Sequence, residues 1–217
     1  RGKYGVFPLD NLTIRKIGSV LSKIYSKNIT KFFIAHDGRS SHMTICEELL
    51  KGILSTEKFE IIFLDLLPTP SIPYILSERS TNDSMGIQIT ASHNPYMDNG
   101  LKIFNSDGYK ISQSEEERIE HTLESIDDVN NQIDFPLIKN QFYFNEYINY
   151  LTFYLNKYLD DSKKLNIAID CANGALSTVI KSIELPRNIS SIIFNDNPNG
   201  KNINDKCGAV HPEYLSK

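Results

Sequence analysis

At 217 residues, with 40% hydrophobic and 23% charged residues, the chain is long enough for one large or two small folded domains and too balanced for a disordered, collagenous or coiled-coil protein. Lys and Arg number 23 against 27 Asp and Glu, a formal charge of -4, so no global basic field exists to hold nucleic acid or an anionic membrane, and any phosphate must be held locally. Three widely spaced cysteines, Cys46, Cys171 and Cys207, with no CxxC pair, suggest neither a disulfide framework nor a zinc site and fit a reducing cytoplasm.

Ile14, Ile17, Val20, Leu21, Ile24 and Tyr25 recur at helical spacing, which predicts an amphipathic helix over about 11–27. Lys31 to Ala35 reads as a buried strand, Asp37 to Ser41 as a loop, Met43 to Leu54 as a helix and Ile61 to Leu64 as the next strand. That order is a βαβ unit and predicts a parallel sheet covered by helices. The apolar run from Glu60 to Leu67 is broken by charge and far short of a membrane span. Pro68, Pro70 and Pro73 punctuate its exit, with a short helix at Ile72 to Ser77. Met85 to Thr90 is another strand, ending in the polar segment Ala91-Ser92-His93-Asn94-Pro95. Asp98-Asn99-Gly100 and Asp107-Gly108 signal turns on either side of Leu101 to Phe104, predicting a loop and a hairpin.

Ser112 with Glu115 is a capping-box pattern opening a charged helix whose apolar positions are Ile119, Leu123 and Ile126. Residues 127–140 are polar and aperiodic. The aromatic stripe from Phe142 to Leu159 has helical period and reads as core and domain contact, followed by a solvated connector from Asp160 to Lys164. Leu165 to Asp170, Cys171 to Gly174 and Ala175 to Ile183 then repeat the strand, loop and helix order. The expectation is an α/β fold: a mixed, mainly parallel sheet sandwiched by helices over residues 1–160, then the start of a second, similar α/β domain over 161–217. Opening at Arg1 without Met or an apolar leader, and stopping just after a turn-rich stretch, the chain reads as the N-terminal piece of a longer protein.

The densest candidate for chemistry runs from Thr90 to Lys102. A serine at the carboxyl end of a strand in an open α/β sheet projects into the crevice where ligands bind, and its small neighbours leave the hydroxyl accessible. His93 and Asn94 offer donors to phosphoryl oxygens, while Lys102, brought back by the turn at 98–100, supplies positive charge or moves a proton. The same residue types also suit an ordinary loop, with Ser92 and Asn94 satisfying turn hydrogen bonds and His93 at the surface. Asp170 ends a strand as a phosphoryl-accepting aspartate would, but the partner acid two residues on is replaced by Ala172, which rejects an aspartyl-phosphatase site. Neither a GxSxG elbow, a GxxxxGK[ST] loop nor a GxGxxG fingerprint occurs, and Cys207 with His211 lacks the second pair zinc would need.

Ala91 to Pro95, with Asp98-Asn99-Gly100 and Lys102, resembles the phosphoserine loop of the α-D-phosphohexomutase superfamily. The resemblance implies that Ser92 carries, donates and accepts a phosphoryl group, that its phosphate occupies one position of a Mg²⁺ ion, and that Lys102 is the general acid/base, with His93 and Asn94 serving the phosphate. Asp37 to Ser41 resembles the loop that lies beside the phosphoserine, which implies that Arg39 forks onto phosphoryl oxygens; on residues alone, an Asp37–Arg39 ion pair closing a βα turn stands equally open. The superfamily usually continues with Ser-Gly, where this chain has Ser41-His42. Arg1-Gly2 resembles the end of an N-terminal Gly-Ile-Arg-Gly signature, which would set Arg1 against substrate.

Within the superfamily, Asp170 to Ala175 and Pro198 to Asn204, followed by Cys207-Gly208 and His211 to Glu213, resemble the bacterial phosphoglucosamine mutase branch. That branch interconverts glucosamine 6-phosphate and glucosamine 1-phosphate through a phosphoserine enzyme and a bisphosphate intermediate, on the cytoplasmic route to UDP-N-acetylglucosamine. The implied partner is a phosphosugar, with neither nucleic acid nor membrane. The remaining Mg²⁺ ligands and the sugar-selecting and phosphate-binding loops are expected in later domains, so the chain alone is expected to be inactive. A phosphomannomutase/phosphoglucomutase and a non-catalytic domain are the alternatives.

Overall fold

In the computed structural model, which describes residues 1–79, 82–127, 135–159 and 163–216, the chain begins with β1 (Gly2–Lys3), α1 (Asn11–Tyr25), β2 (Lys31–His36), α2 (His42–Ile53), β3 (Glu60–Leu66) and α3 (Ser71–Arg79). It continues through β4 (Ser84–Ile89), β5 (Asp98–Asn99), β6 (Leu101–Phe104), α4 (Gln113–Glu124) and α5 (Gln141–Tyr158). The last elements are β7 (Leu165–Asp170), α6 (Leu176–Ile180), β8 (Ile189–Phe194) and a 3₁₀ turn at Pro212–Tyr214.

β2 and β4 have no polar face, because every residue from Phe32 to His36 and from Ser84 to Ile89 is buried, as strands covered by helices on both sides must be. They are the centre of a sheet ordered β3-β2-β4-β6, in which β2 runs parallel to both β3 and β4 and β6 returns antiparallel beside β4. On one face Ile14 and Leu21 of α1, Leu49 of α2 and Ile119 of α4 bury Phe32, Ile34 and Ile87. On the other, Ile72 and Ile75 of α3 with Phe144 and Tyr147 of α5 bury Phe33 and Ala35. The fold is the mixed, mainly parallel α/β sandwich that the patterning predicts.

Local signals explain the helix ends. Asp10 caps α1 by accepting from the Thr13 backbone at 2.9 Å, and Ser112 and Glu115 form the full reciprocal capping box of α4. α1 and α2 cross so closely that a Cβ on Gly18 would stand 2.2 Å from the Leu49 carbonyl oxygen, and one on Gly52 2.0 Å from that of Arg15. Beside the crossing the buried Glu48 lies 2.5 Å from Arg15 and 2.6 Å from Lys51. Burial opposes its ionisation, but the hydrogen bonds from Lys51 and Arg15 outweigh that and hold its carboxyl below the usual range.

Four details depart from the patterning. The turn expected at 98–100 is instead a short extended pair, with β5 antiparallel to β1, because Asn99 is buried and its side chain accepts from Ser41 Oγ at 2.7 Å while donating to Met97 O at 3.1 Å. The chain reverses earlier, over residues 91–97. The helix expected over 175–183 closes after Ile180, and Ile126 lies beyond the end of α4. β8, which no alternation announced, pairs in parallel with β7 to form a separate two-stranded sheet. Val179 of α6 joins the apolar cluster of α3 and α5, which ties this second unit to the first. Residues 160–162 of the connector expected over Asp160 to Lys164, and half of the aperiodic stretch, 128–134, lie outside the described residues. Among the described residues no helix is long and apolar enough to cross a membrane.

Candidate active site

Because β2 and β4 are adjacent and parallel, their carboxyl ends open on one edge of the sheet, and the loops after them lie side by side. Thr90 Oγ1 joins the two loops, donating to Asp37 Oδ2 at 2.6 Å and accepting from the Ser92 backbone at 2.9 Å. Ala91 is buried beneath the bend, whereas Ser92 and His93 are exposed. Ser92 takes φ 60, in the left-handed region where a non-glycine residue is held only by surroundings that over-determine it.

Arg39 supplies those surroundings. Its side chain is fully buried and all five N–H donors are used. Nε donates to Asp37 Oδ2 at 3.0 Å, Nη1 to Asp98 O at 2.7 Å and to Pro95 O, and Nη2 to Ser92 O at 2.9 Å and Asn94 O at 3.1 Å. The expectation that Arg39 forks onto phosphoryl oxygens is therefore corrected: no donor remains, and the residue folds the serine loop around its guanidinium. Asn94 is half-buried and spends one amide proton on Asp98 Oδ2 at 2.9 Å, so a single side-chain N–H is left for a ligand.

Lys102 sits on β6 opposite Gln88 of β4 and is half-buried. Burial, followed by the charge of Arg1, pushes its ammonium below the usual lysine value; Lys110 adds to this and Asp37 opposes it. The Asp37 oxygen not used by Thr90 and Arg39 is buried and without a hydrogen-bond partner among the described residues. Arg1 is exposed and lies along Gly100, where an added Cβ would stand 2.9 Å from Arg1 Cγ and 3.0 Å from Thr90 O. The structure thus sets Ser92, His93 and Asn94 on one loop, Lys102 on β6, and Arg1 beside Gly100 ahead of β1. Among the described residues no group of three or more His, Cys, Asp or Glu side chains converges as a metal site.

Residue types alone did not flag several members of this framework. His42 stacks on His36 with ring centroids 3.6 Å apart, and its Nδ1 meets the Arg39 carbonyl. Gly38 N donates to His36 Nδ1 at 3.1 Å, so the His36 proton sits on Nε2 and points to Asp65 Oδ1 at 3.0 Å. Burial and then His36 push His42 below the usual imidazole value, and the His36 hydrogen bond lowers the Asp65 carboxyl despite its partial burial. Asn204, from the segment after β8, also reaches this loop. The contacts of His36 with Asp65 and of Asn204 with the serine loop join residues far apart in the chain, which no local motif encodes.

The family model for phosphoglucomutase/phosphomannomutase, alpha/beta/alpha domain I, matches residues 1–130. The phosphoglucosamine mutase of Fusobacterium nucleatum is 35% identical over 189 residues, covering 86% of this chain and 41% of the relative. That of a Sulfurovum species is 34% identical over 223 residues, covering 100% of this chain and 49% of the relative. A solved structure of a phosphoglucomutase/phosphomannomutase family protein from Burkholderia thailandensis superposes with a TM-score of 0.71 over 99% of this chain and 47% of that one; at 20% identity it speaks to the fold alone. The chain spans less than half the length of these relatives. With a domain I match over more than half its residues, and with the sheet and serine loop just described, the chain belongs to the phosphoglucomutase/phosphomannomutase family, the α-D-phosphohexomutases.

Proposed function

We propose that this chain is the phosphoryl-carrying part of a phosphoglucosamine mutase, which interconverts glucosamine 6-phosphate and glucosamine 1-phosphate. The observation that carries the reading is the exposed Ser92, held in a left-handed bend at the carboxyl edge of the sheet by a buried guanidinium that has no donor to spare. Such a framework fixes where a hydroxyl stands without covering it. The 34% and 35% identity to proteins named phosphoglucosamine mutase supports the choice of an amino sugar.

In the proposed reaction the bond between Ser92 Oγ and phosphorus breaks as a sugar hydroxyl oxygen bonds to that phosphorus, giving a bisphosphate sugar and free Ser92. Lys102, its ammonium weakened by burial, takes the proton of the attacking sugar hydroxyl and delivers it to Ser92 Oγ as that oxygen departs; in the return transfer it takes the Ser92 proton and gives it to the sugar oxygen that departs. The free N–H of Asn94, the exposed His93 and the guanidinium of Arg1 are assigned to the phosphate oxygens of substrate. Phosphoryl transfer depends mainly on positioning and charge stabilisation, which a rigid loop with nearby cations provides. Mg²⁺, a hard cation that takes oxygen ligands, would neutralise phosphoryl charge when bound, and Ser92 would supply one of its positions, through its phosphate. The other ligands are proposed to lie in the part of the relatives that this chain does not span, as are the sugar-selecting groups; by the same argument residues 1–160 and 161–217 are assigned to two successive domains, and the chain alone to an inactive state. With a phosphosugar as substrate, the reaction is assigned to the cytoplasm.

Turnover of the full-length protein on glucosamine, glucose and mannose phosphates tests the reading. A preference for the amino sugar is expected. Preference for glucose or mannose phosphate would assign it instead to the phosphomannomutase/phosphoglucomutase branch.

A further inference from the structure

Ser92 O and Asn94 O each accept two hydrogen bonds. One comes from Arg39 Nη2, at 2.9 and 3.1 Å, and the other from Asn204 Nδ2, at 2.9 and 3.0 Å. A carbonyl oxygen has two lone pairs and an amide nitrogen two protons, so both carbonyls and the Asn204 donor are saturated. The two carbonyls flank His93, and pinning them inward leaves Ser92 and His93 exposed on the outer side of the bend. Arg39 belongs to the main sheet's own loop, whereas Asn204 arrives from the other unit, about a hundred residues along the chain.

Asn204 is itself held firmly. It adopts φ 58, a conformation asparagine tolerates better than most non-glycine residues, and its backbone N–H donates to Ala172 O at 2.9 Å. Ile203 before it is buried, and Gly208 N donates to Asp170 Oδ2 at 2.7 Å, fastening the segment to the carboxyl end of β7. Ser40 N donates to Gly200 O at 2.8 Å, so the same segment also secures the loop that bears Arg39.

We propose that Asn204 is a positioning residue for Ser92, setting the hydroxyl through the same two carbonyls that Arg39 holds and making its orientation depend on contact between the β7–β8 unit and the main sheet. The inference rests on reading Ser92 as the phosphoryl carrier. Movement of the second unit away from the sheet would leave both carbonyls held by Arg39 alone and loosen the placement of the hydroxyl.

Two variants isolate the contact. Asn204→Asp keeps the shape and the left-handed tolerance but turns both donors into acceptors facing carbonyl oxygens; Asn204→Gly keeps the backbone and removes the amide. In the chain as it stands, amide hydrogen exchange over residues 91–98 is expected to speed up by about tenfold in both variants, with β2 and β4 unchanged. In the full-length protein kcat is expected to fall by at least about tenfold while KM stays within about twofold, the signature of lost positioning. Ser92→Ala, measured alongside, is expected to abolish turnover. Exchange and kcat equal to wild type in both variants, with Ser92→Ala inactive, would overturn the role of Asn204 and leave the mutase reading intact. Wild-type turnover in Ser92→Ala would overturn the carrier itself and reduce Asn204 to a loop anchor. Should Asn204→Asp fail to fold, Asn204→Gly carries both readouts.

Discussion

A buried guanidinium is tolerable only if every donor meets an acceptor, and Arg39 meets this condition by drawing four backbone carbonyls of one loop around itself. The serine loop is consequently shaped from inside, by charge, and the hydroxyl it presents needs no covering group to keep it in place. Lys102 illustrates the opposite use of burial: desolvation weakens an ammonium, and a weaker ammonium exchanges protons more readily near neutral pH. In the direction where Lys102 accepts the hydroxyl proton, its neutral form is the active one, so kcat should rise with pH along a limb that lies below the ordinary lysine value of 10.5. Lys102→Arg cannot give up its proton, and a pH–rate profile of that variant should lose the limb, with kcat lowered by roughly 10²-fold or more. An unchanged limb would remove Lys102 from proton transfer.

At the scale of elements, the helix pair α1–α2 shows geometry overriding propensity. Alanine is favoured over glycine within a helix by about 1 kcal/mol, so Gly52→Ala judged on propensity alone should stabilise the protein. The space for its Cβ is taken by the Arg15 carbonyl oxygen at 2.0 Å, a backbone atom that moves only if the whole of α1 moves. Destabilisation by about 1–3 kcal/mol is therefore expected in urea unfolding, and a stabilised variant would contradict the close crossing. The same balance decides what the sequence makes legible. Helices α1, α2, α4 and α5 and the central strands are written in apolar period, with a capping box besides at α4, because their buried residues recur at the spacing of each element. The extended pairing of Asp98–Asn99 is not, since Asp-Asn-Gly favours a turn until β1 and Ser41 supply partners that only the fold brings near. Ser92 and Lys102 stand in a recognisable motif, whereas the task of Arg39 follows from how many acceptors surround it, which no local pattern encodes.

Across the whole molecule, three distant segments converge on one bend: the loop after β2 through Arg39, the loop after β4 through Ser92 itself, and the segment after β8 through Asn204. Val179 and the Ser40–Gly200 hydrogen bond join the two units around it. A hydroxyl placed by both units is suited to a reaction in which it must give up a group and later receive one in the same position. A serine that carries a phosphoryl group must hold it covalently between the two transfers, and the intact mass of the protein reads this out. Full-length protein exposed to glucosamine 1,6-bisphosphate should gain a single phosphate, about 80 Da, localised to Ser92 and absent from Ser92→Ala. A protein that takes up no phosphate, or that takes it up equally in Ser92→Ala, would contradict the account.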